Sequence, residues 1–156
     1  MLAYYIQAPL NFISRNSYIK KTTILFVSFI FSSSFVFAQK TYVPYDKFEQ
    51  ALIALGYDTT LDDSVLTANI SGVTELDVSK REISDLTGIE DFAALGYLMC
   101  YSNQLTSLDM SKNTVLYALW CSDNQLTSLD VSKNTALTGL WCDGNQLTSL
   151  DVTKNT

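Results

Sequence analysis

The sequence predicts a repeat solenoid of the α+β class, with a parallel β-sheet on its concave face and a small helical cap at its N-terminal end. Three observations lead to this prediction: a 21-residue period after residue 94, alternating side chains within each period, and a helical pattern of apolar residues ahead of the repeats. We therefore divide the chain into an export signal (1–38), a cap (39–72) and repeats (73–156).

The repeats are defined by identical residues at constant spacing. Three segments, beginning at Leu95, Leu116 and Leu137, align over their whole length. A diverged fourth copy stands 22 residues ahead of the first of them, with Arg81 at the position where the others have asparagine. The columns that carry the alignment are Leu98, Leu119 and Leu140; Cys100, Cys121 and Cys142; Asn103, Asn124 and Asn145; Leu105, Leu126 and Leu147; Leu108, Leu129 and Leu150; and, in the diverged copy, Leu76, Val78, Ile83 and Leu86.

The spacing L-x-x-L-x-C-x-x-N-x-L resembles the leucine-rich-repeat pattern. The resemblance covers residues 73–156, and the short, helix-poor unit is similar to that of internalins and other secreted bacterial repeat proteins. It implies a solenoid in which each copy depends on its neighbours to bury its apolar edge. Because no copy follows the leucines of the last one, we expect the sequence to be truncated at the C-terminal end of a longer repeat array.

Each copy is expected to begin with a short strand, at Tyr97–Tyr101, Ala118–Ser122 and Gly139–Asp143. Alternation points Leu98 and Cys100 inward and leaves the intervening side chains on the outer face. Nothing in the fold requires those outward side chains to be large and apolar, so they are the candidate ligand-binding residues. Two interpretations remain open: an exposed contact surface, or a stripe that stacks on itself and stabilises the sheet. The candidates are Tyr97, Met99, Tyr101, Trp120 and Trp141.

The remaining periodic columns are assigned to the scaffold. The three cysteines occupy the inward position that Val78 holds in the first copy, so we expect buried thiols. The asparagines are expected to turn inward and bond the backbone after each strand. Asp109, Asp130 and Asp151 form an acidic column, but no calcium-loop pattern accompanies it, and we predict no metal site.

The cap is predicted from a helix that places Phe48, Ala51, Leu52 and Leu55 on one face. Asp46 and Glu49 have the spacing of a capping box, and Gly56 marks the end of the helix. A shorter second helix is expected over residues 63–68. Its Asp63 and the nearby Asp58 and Asp62 are interpreted as turn and cap residues instead of catalytic carboxylates.

Residues 1–38 are predicted to be a secretory signal peptide with an extended n-region. The uncharged run from Ile24 to Phe37 follows Lys20 and Lys21 and ends at Ala38. Cleavage there would remove three of the 10 basic residues and none of the 16 acidic ones, leaving a net charge of −9. Such a chain would repel nucleic acid and anionic lipid, and we expect no membrane insertion after cleavage.

These features predict a non-catalytic module, secreted or at the cell surface, that mediates protein–protein interaction or adhesion. The sequence has no histidine, which excludes Ser-His-Asp and Cys-His nucleophiles and His-ligated metal centres. We predict no cofactor, and expect a protein ligand, with a glycan as the alternative. Two further alternatives are a passive envelope component whose repeats only provide length, and the targeting part of a larger secreted enzyme.

Overall fold

The structure, a computed structural model, describes residues 38–155. The predicted signal peptide, apart from Ala38, lies outside these residues. No helix among the described residues is long and apolar enough to span a membrane. The elements are β1 (Lys40–Tyr42), α1 (Asp46–Ala54), β2 (Ser64–Leu66), α2 (Thr67–Ile70), β3 (Glu75–Asp77), a 3-10 turn (Ile89–Asp91), β4 (Tyr97–Met99), β5 (Ala118–Trp120) and β6 (Gly139–Trp141).

The repeats form a four-stranded parallel sheet in the order β3-β4-β5-β6, which confirms the predicted solenoid. Strand pairing aligns Leu76 with Leu98, Leu98 with Leu119, and Leu119 with Leu140. The diverged first copy is therefore in register with the others. Each strand follows its neighbour by one repeat, so equivalent residues form columns along the sheet.

The strands are shorter than predicted and end two residues earlier, at Met99, Trp120 and Trp141. In the two central copies the chain turns at Ser102 and Asp123, which have φ of 53° and 54°. Left-handed backbone cannot continue a strand, so the turn limits the pairing.

A single apolar core runs through the described residues. Leu98, Leu119, Cys100 and Cys121 are fully buried, as their inward positions predicted. The ring of Phe48 in α1 lies 6.4 Å from that of Phe92, measured between centroids. The N-terminal segment and the repeats therefore share one core, which also contains Val43, Leu52, Val65, Ile70, Leu76, Ile83, Leu95, Leu105, Met110, Leu116, Leu126 and Val131.

The asparagine column bonds the backbone of two successive copies, as the sequence predicted. Oδ1 of Asn124 accepts the N–H of Leu105 at 3.0 Å, and its Nδ2 donates to the carbonyls of Cys100 and Cys121 at 3.0 and 3.1 Å. Asn103 and Asn145 make the equivalent bonds in their own copies. Backbone bonds between copies continue past the strands, from the N–H of Cys100 to Trp120 and from that of Ser102 to Ser122, so each asparagine pairs the backbone groups that these bonds leave.

A second asparagine column, which the sequence analysis did not assign, joins the copies on the other side of the core. Asn113 and Asn134 are fully buried. Nδ2 of Asn134 donates to the carbonyls of Met110 and Asn113, both at 2.9 Å, and Asn155 repeats the arrangement one copy later. Asparagine side chains therefore form hydrogen bonds between successive copies at two places.

The N-terminal segment corrects two predictions. α1 has Tyr45 at its N-cap without a side-chain cap bond, so the capping box of Asp46 and Glu49 is wrong. The buried Glu49 carboxylate instead accepts the N–H groups of Asp62, Asp63 and Ser64 at 2.9, 3.2 and 3.0 Å. That loop offers three donors, whereas a capping box offers the carboxylate only one.

The second helix is also misplaced. Half of the predicted range, 63–68, is taken by β2, which pairs antiparallel with β1 and aligns Val65 with Thr41. The helix begins at Thr67 and is only one turn long. Strand pairing with a distant segment outweighs the weak local preference for a helix here. The predicted end of α1 is confirmed, because Gly56 follows it in the left-handed conformation with φ of 83°.

Replacing Asn124 with alanine tests the role of the asparagine column. The substitution leaves the N–H of Leu105 and the carbonyls of Cys100 and Cys121 without their side-chain partner in a buried site. We expect the free energy of unfolding, measured by urea denaturation, to fall by about 2–4 kcal/mol. Gln125→Ala is the matched control, since Gln125 is exposed, and it should change the value by less than about 0.5 kcal/mol. Equal losses in the two variants would contradict the assignment.

Candidate functional site

The outer face of the parallel sheet brings all five predicted ligand-binding residues together. Strand pairing places Met99 beside Trp120 and Trp120 beside Trp141. Tyr97 lies on β4, two residues before Met99, and Tyr101 follows two residues after it. We call this group, with the neighbouring Tyr117 described below, the aromatic face.

Trp120 is at the centre of the aromatic face. Its ring lies 4.7 Å from that of Trp141, 6.1 Å from Tyr97 in an edge-on arrangement, and 6.3 Å from Tyr101, measured between centroids. These are the separations at which aromatic pairs attract each other. The rings therefore do stack on one another, as one of the two sequence interpretations proposed.

The aromatic face is also open to solvent, as the other interpretation proposed. Trp141 retains 45% of its exposure, and Tyr97, Met99, Tyr101 and Trp120 are half-buried. Mutual stacking thus covers only part of the ring surface. The rings therefore stack on one another and also stay partly exposed, and their contact with a ligand stays a prediction.

Tyr117 belongs to the aromatic face but was missed by the sequence analysis. It precedes β5 by one residue, outside the alternation used to choose candidates, yet it stacks on Tyr97 at 6.3 Å and is 46% exposed. Its signal in the sequence was an aromatic residue at a repeat position where the neighbouring copies have Gly96 and Thr138.

Two glycines make room for the outer rings. A Cβ on Gly96 would lie 2.6 Å from a ring carbon of Tyr117, and one on Gly139 would lie 2.7 Å from a ring carbon of Trp141. Such distances are below van der Waals contact, so any larger residue would displace the ring. Glycine at these positions lets each ring lie close against the sheet.

Carboxylates flank the aromatic face on both sides. On β3, the exposed Glu75 and Asp77 are the strand partners of Tyr97 and Met99. Beyond β6, the exposed Asp143 accepts the hydroxyl of Ser122 at 2.6 Å, two residues after Trp120.

A lysine side chain of the protein itself already lies over a ring of the aromatic face. Nζ of the exposed Lys80 lies 5.4 Å from the ring centroid of Tyr101. This is the separation of a cation–π contact. The positive group comes from the turn after β3, and the strands β3 to β6 themselves carry no basic residue.

The cysteine column belongs to the core and not to a reactive site. Burial raises the pKa of the Cys121 thiol to about 12 and also raises the pKa of Cys100. All three cysteines are free, and Cys142 is half-buried. The shifts keep the thiols protonated at neutral pH, and a protonated thiol is a poor nucleophile and metal ligand.

The acidic column serves the turns between copies. Oδ1 of Asp109, Asp130 and Asp151 accepts the backbone N–H two residues further on, at 2.8, 2.9 and 2.9 Å. These backbone bonds are the main reason why the pKa of each carboxyl is lowered. Each carboxylate therefore closes a turn of the backbone through a side-chain hydrogen bond, at the same position in successive copies.

Another acidic cluster lies in the N-terminal segment, where carboxylate oxygens of Glu49, Asp58 and Asp62 approach within 4.8 Å of one another. Both Glu49 oxygens are occupied by backbone N–H groups, as described above. Asp62 accepts bonds from Ser64 and Lys40, which lower its pKa. The hydrogen bonds of Glu49 and Asp62 thus hold the loop before β2 in place, while Oδ2 of Asp58 is buried without a hydrogen-bond partner.

The comparisons with known proteins agree with this geometry. Internalin J of Listeria monocytogenes serotype 4b (strain F2365) is 34% identical over 62 residues, which is 40% of this chain and 7% of that protein. No family model matches the sequence.

Solved structures give a wider match. The functional domain of InlJ from Listeria monocytogenes, described as including a cysteine ladder, matches 76% of this chain with 39% identity and a TM-score of 0.68. The internalin InlF from strain F2365 matches 72% with 22% identity and a TM-score of 0.65, which supports the fold alone. This chain spans only 27% and 33% of those two solved chains.

Substituting Gly139 with alanine tests how the aromatic face is built. The added Cβ would displace the Trp141 ring from its position 4.7 Å from Trp120. We expect the exciton signal of the tryptophan pair in circular dichroism to weaken while the strand signal persists. Gly72→Ala is the matched control, because a Cβ there meets nothing within 4 Å. An unchanged exciton signal in the Gly139 variant would contradict the described ring packing.

Proposed function

We propose that this chain, which is similar to internalin leucine-rich-repeat proteins, is a non-catalytic recognition module that holds a protein partner against its aromatic face. Residues 1–38 would direct export, residues 39–72 would cap the solenoid, and the repeats of residues 73–156 would carry the contact surface. The module would act outside the cell, secreted or at the cell surface. The internalin likeness supports the recognition role, and the apolar run before Ala38 supports export.

The observation that carries the proposal is the partial exposure of six large side chains on one continuous surface. The inward columns and both asparagine columns already meet the needs of the fold, so stability alone does not require tryptophan and tyrosine there. Exposed aromatic groups flanked by polar residues are typical of the centres of protein interfaces. The ring contacts hold the aromatic face in shape before a partner arrives, which reduces the entropy lost on binding.

The chemistry of the side chains supports a non-catalytic role. The sequence has no histidine to act as a base. Burial keeps the thiols of Cys100 and Cys121 protonated, and the periodic aspartates are engaged in turns. These side chains therefore support a scaffold role, while the partly exposed aromatic rings supply contact area.

The proposal predicts that Trp120→Ala combined with Trp141→Ala abolishes capture of a protein partner from host-cell or bacterial surface extracts. Both substitutions remove aromatic contact area from this face, and losses of about 2 kcal/mol or more per residue are typical of aromatic residues that dominate an interface. Capture is measured by affinity isolation and mass spectrometry. Circular dichroism is recorded alongside, to show that the fold is retained.

Tyr42→Ala is the control for this experiment, because Tyr42 is an aromatic residue 64% exposed on β1, in the N-terminal segment. Its removal should leave the captured proteins unchanged. If the double variant captured the same proteins as the unaltered chain, the aromatic face would serve only to stabilise the sheet, and the proposed function would be wrong.

A further inference from the structure

We propose that the aromatic face recognises a cationic segment of its protein partner, in which lysine or arginine side chains lie over the rings. This inference rests on the proposed function, because it specifies the chemistry of the partner for the same surface. It follows from three features of the described residues: open ring surfaces, carboxylates on two sides of them, and a cation of the chain already bound to one ring.

The open rings provide the first part of a cation site. Trp141 and Tyr117 are each nearly half exposed, at opposite ends of the cluster around Trp120. The face of an aromatic ring carries partial negative charge, and tryptophan attracts cations best. A neutral apolar partner could use the same area, so the rings alone do not choose between partners.

The carboxylates beside the rings favour a cationic partner over a neutral one. Glu75 and Asp77 are on one side of the rings and Asp143 is on the other, so a segment crossing the sheet would meet acid at both ends. Asp77 and Asp143 each use one oxygen in a local bond, to Ser79 and Ser122, so that one oxygen of each is left for a partner. A lysine or arginine side chain has the length to pack its methylenes on a ring and place its charge at such an oxygen.

Lys80 shows that the aromatic face accepts a cation. Its ammonium lies over Tyr101 although the lysine is exposed and its charge is free to point into solvent. The contact involves a neighbouring ring of the same cluster, since Tyr101 packs on Trp120. A lysine of the partner would compete with Lys80 or bind beside it on Trp141.

The net negative charge of residues 38–156 also favours a cationic partner. All 16 acidic residues and only 7 of the 10 basic residues of the chain fall within residues 38–156. Of the basic residues, Lys40 and Lys47 are paired with Asp62 and Glu82. A negative field of this kind attracts cationic partners over a distance and disfavours acidic ones.

The test uses the intrinsic fluorescence of the chain, because its only two tryptophans, Trp120 and Trp141, are both on the aromatic face. The unaltered chain is titrated with tetralysine and tetraarginine, and separately with tetraglycine, tetraglutamate and maltotetraose. We expect a saturable change in tryptophan emission with the two basic peptides alone. Binding should weaken as salt is added, because the carboxylates are exposed.

Two triple variants isolate the carboxylates. Glu75→Gln, Asp77→Asn and Asp143→Asn together remove three charges beside the rings, while amide oxygens can still accept the local hydrogen bonds. Asp109→Asn, Asp130→Asn and Asp151→Asn remove the same number of charges from the turn column and form the matched control. We expect the first set to weaken tetralysine binding about tenfold and the control set less than about twofold. Lys80→Gln removes the competing ammonium and should tighten binding roughly two- to fivefold.

Three results would overturn the inference: no response to the basic peptides, equal weakening in both triple variants, or a response to maltotetraose or tetraglycine that matches the response to tetralysine. The outcomes that would contradict the proposed function are different from these. If the basic peptides do not bind but the Trp120 and Trp141 substitutions still abolish partner capture, the surface recognises a partner of different chemistry. If those substitutions leave capture unchanged, the surface is not the binding site.

Discussion

The amide side chain of the asparagine that follows each strand makes the hydrogen bonds on which the rest of the structure depends. Past each strand, some backbone groups find no backbone partner, among them the N–H of Leu105 and the carbonyls of Cys100 and Cys121, and they lie beside a buried apolar core. Unpaired polar groups in such a place are costly. Asn124 pairs such groups by accepting from one copy and donating to both. The asparagines at 113, 134 and 155 donate to carbonyls of the preceding copy at the other side, while their own Oδ1 atoms are buried without a hydrogen-bond partner.

In this arrangement, the residues that stabilise the fold are different from those proposed to contact a partner. In the three aligned copies, leucines, cysteines and asparagines point into the solenoid, where each copy makes the same apolar contacts and hydrogen bonds. The outward residues on the strands make none of these bonds and are free to differ between copies. In this chain they run from carboxylates on β3 through Tyr97 and Met99 on β4 to the tryptophans of β5 and β6. Gly96 and Gly139 adapt the scaffold locally, where rings lie against the backbone.

The sequence predicts the periodic part of this structure well, because a column of identical residues reports a shared environment. The parallel sheet, the inward leucines and the bonding of Asn103, Asn124 and Asn145 were all visible in the 21-residue period. Features that depend on contacts between distant segments were not visible in the sequence. Glu49 has the local spacing of a capping box, but the loop before β2 takes its carboxylate. The strand at 64–66 forms only because β1 pairs with it, and Tyr117 was missed because it precedes the strand that positions it.

The central claim is that asparagine bonds between copies hold the solenoid together and leave the aromatic face free for a partner. Native-state hydrogen exchange of the unaltered chain, followed by NMR, tests it most directly, because the N–H groups of Leu105 and Leu126 donate to asparagine side chains and not to a strand. We expect these two amides to exchange only when the whole repeat unit unfolds, as slowly as the amides of β4 and β5. Exchange as fast as that of amides in exposed turns would contradict the claim.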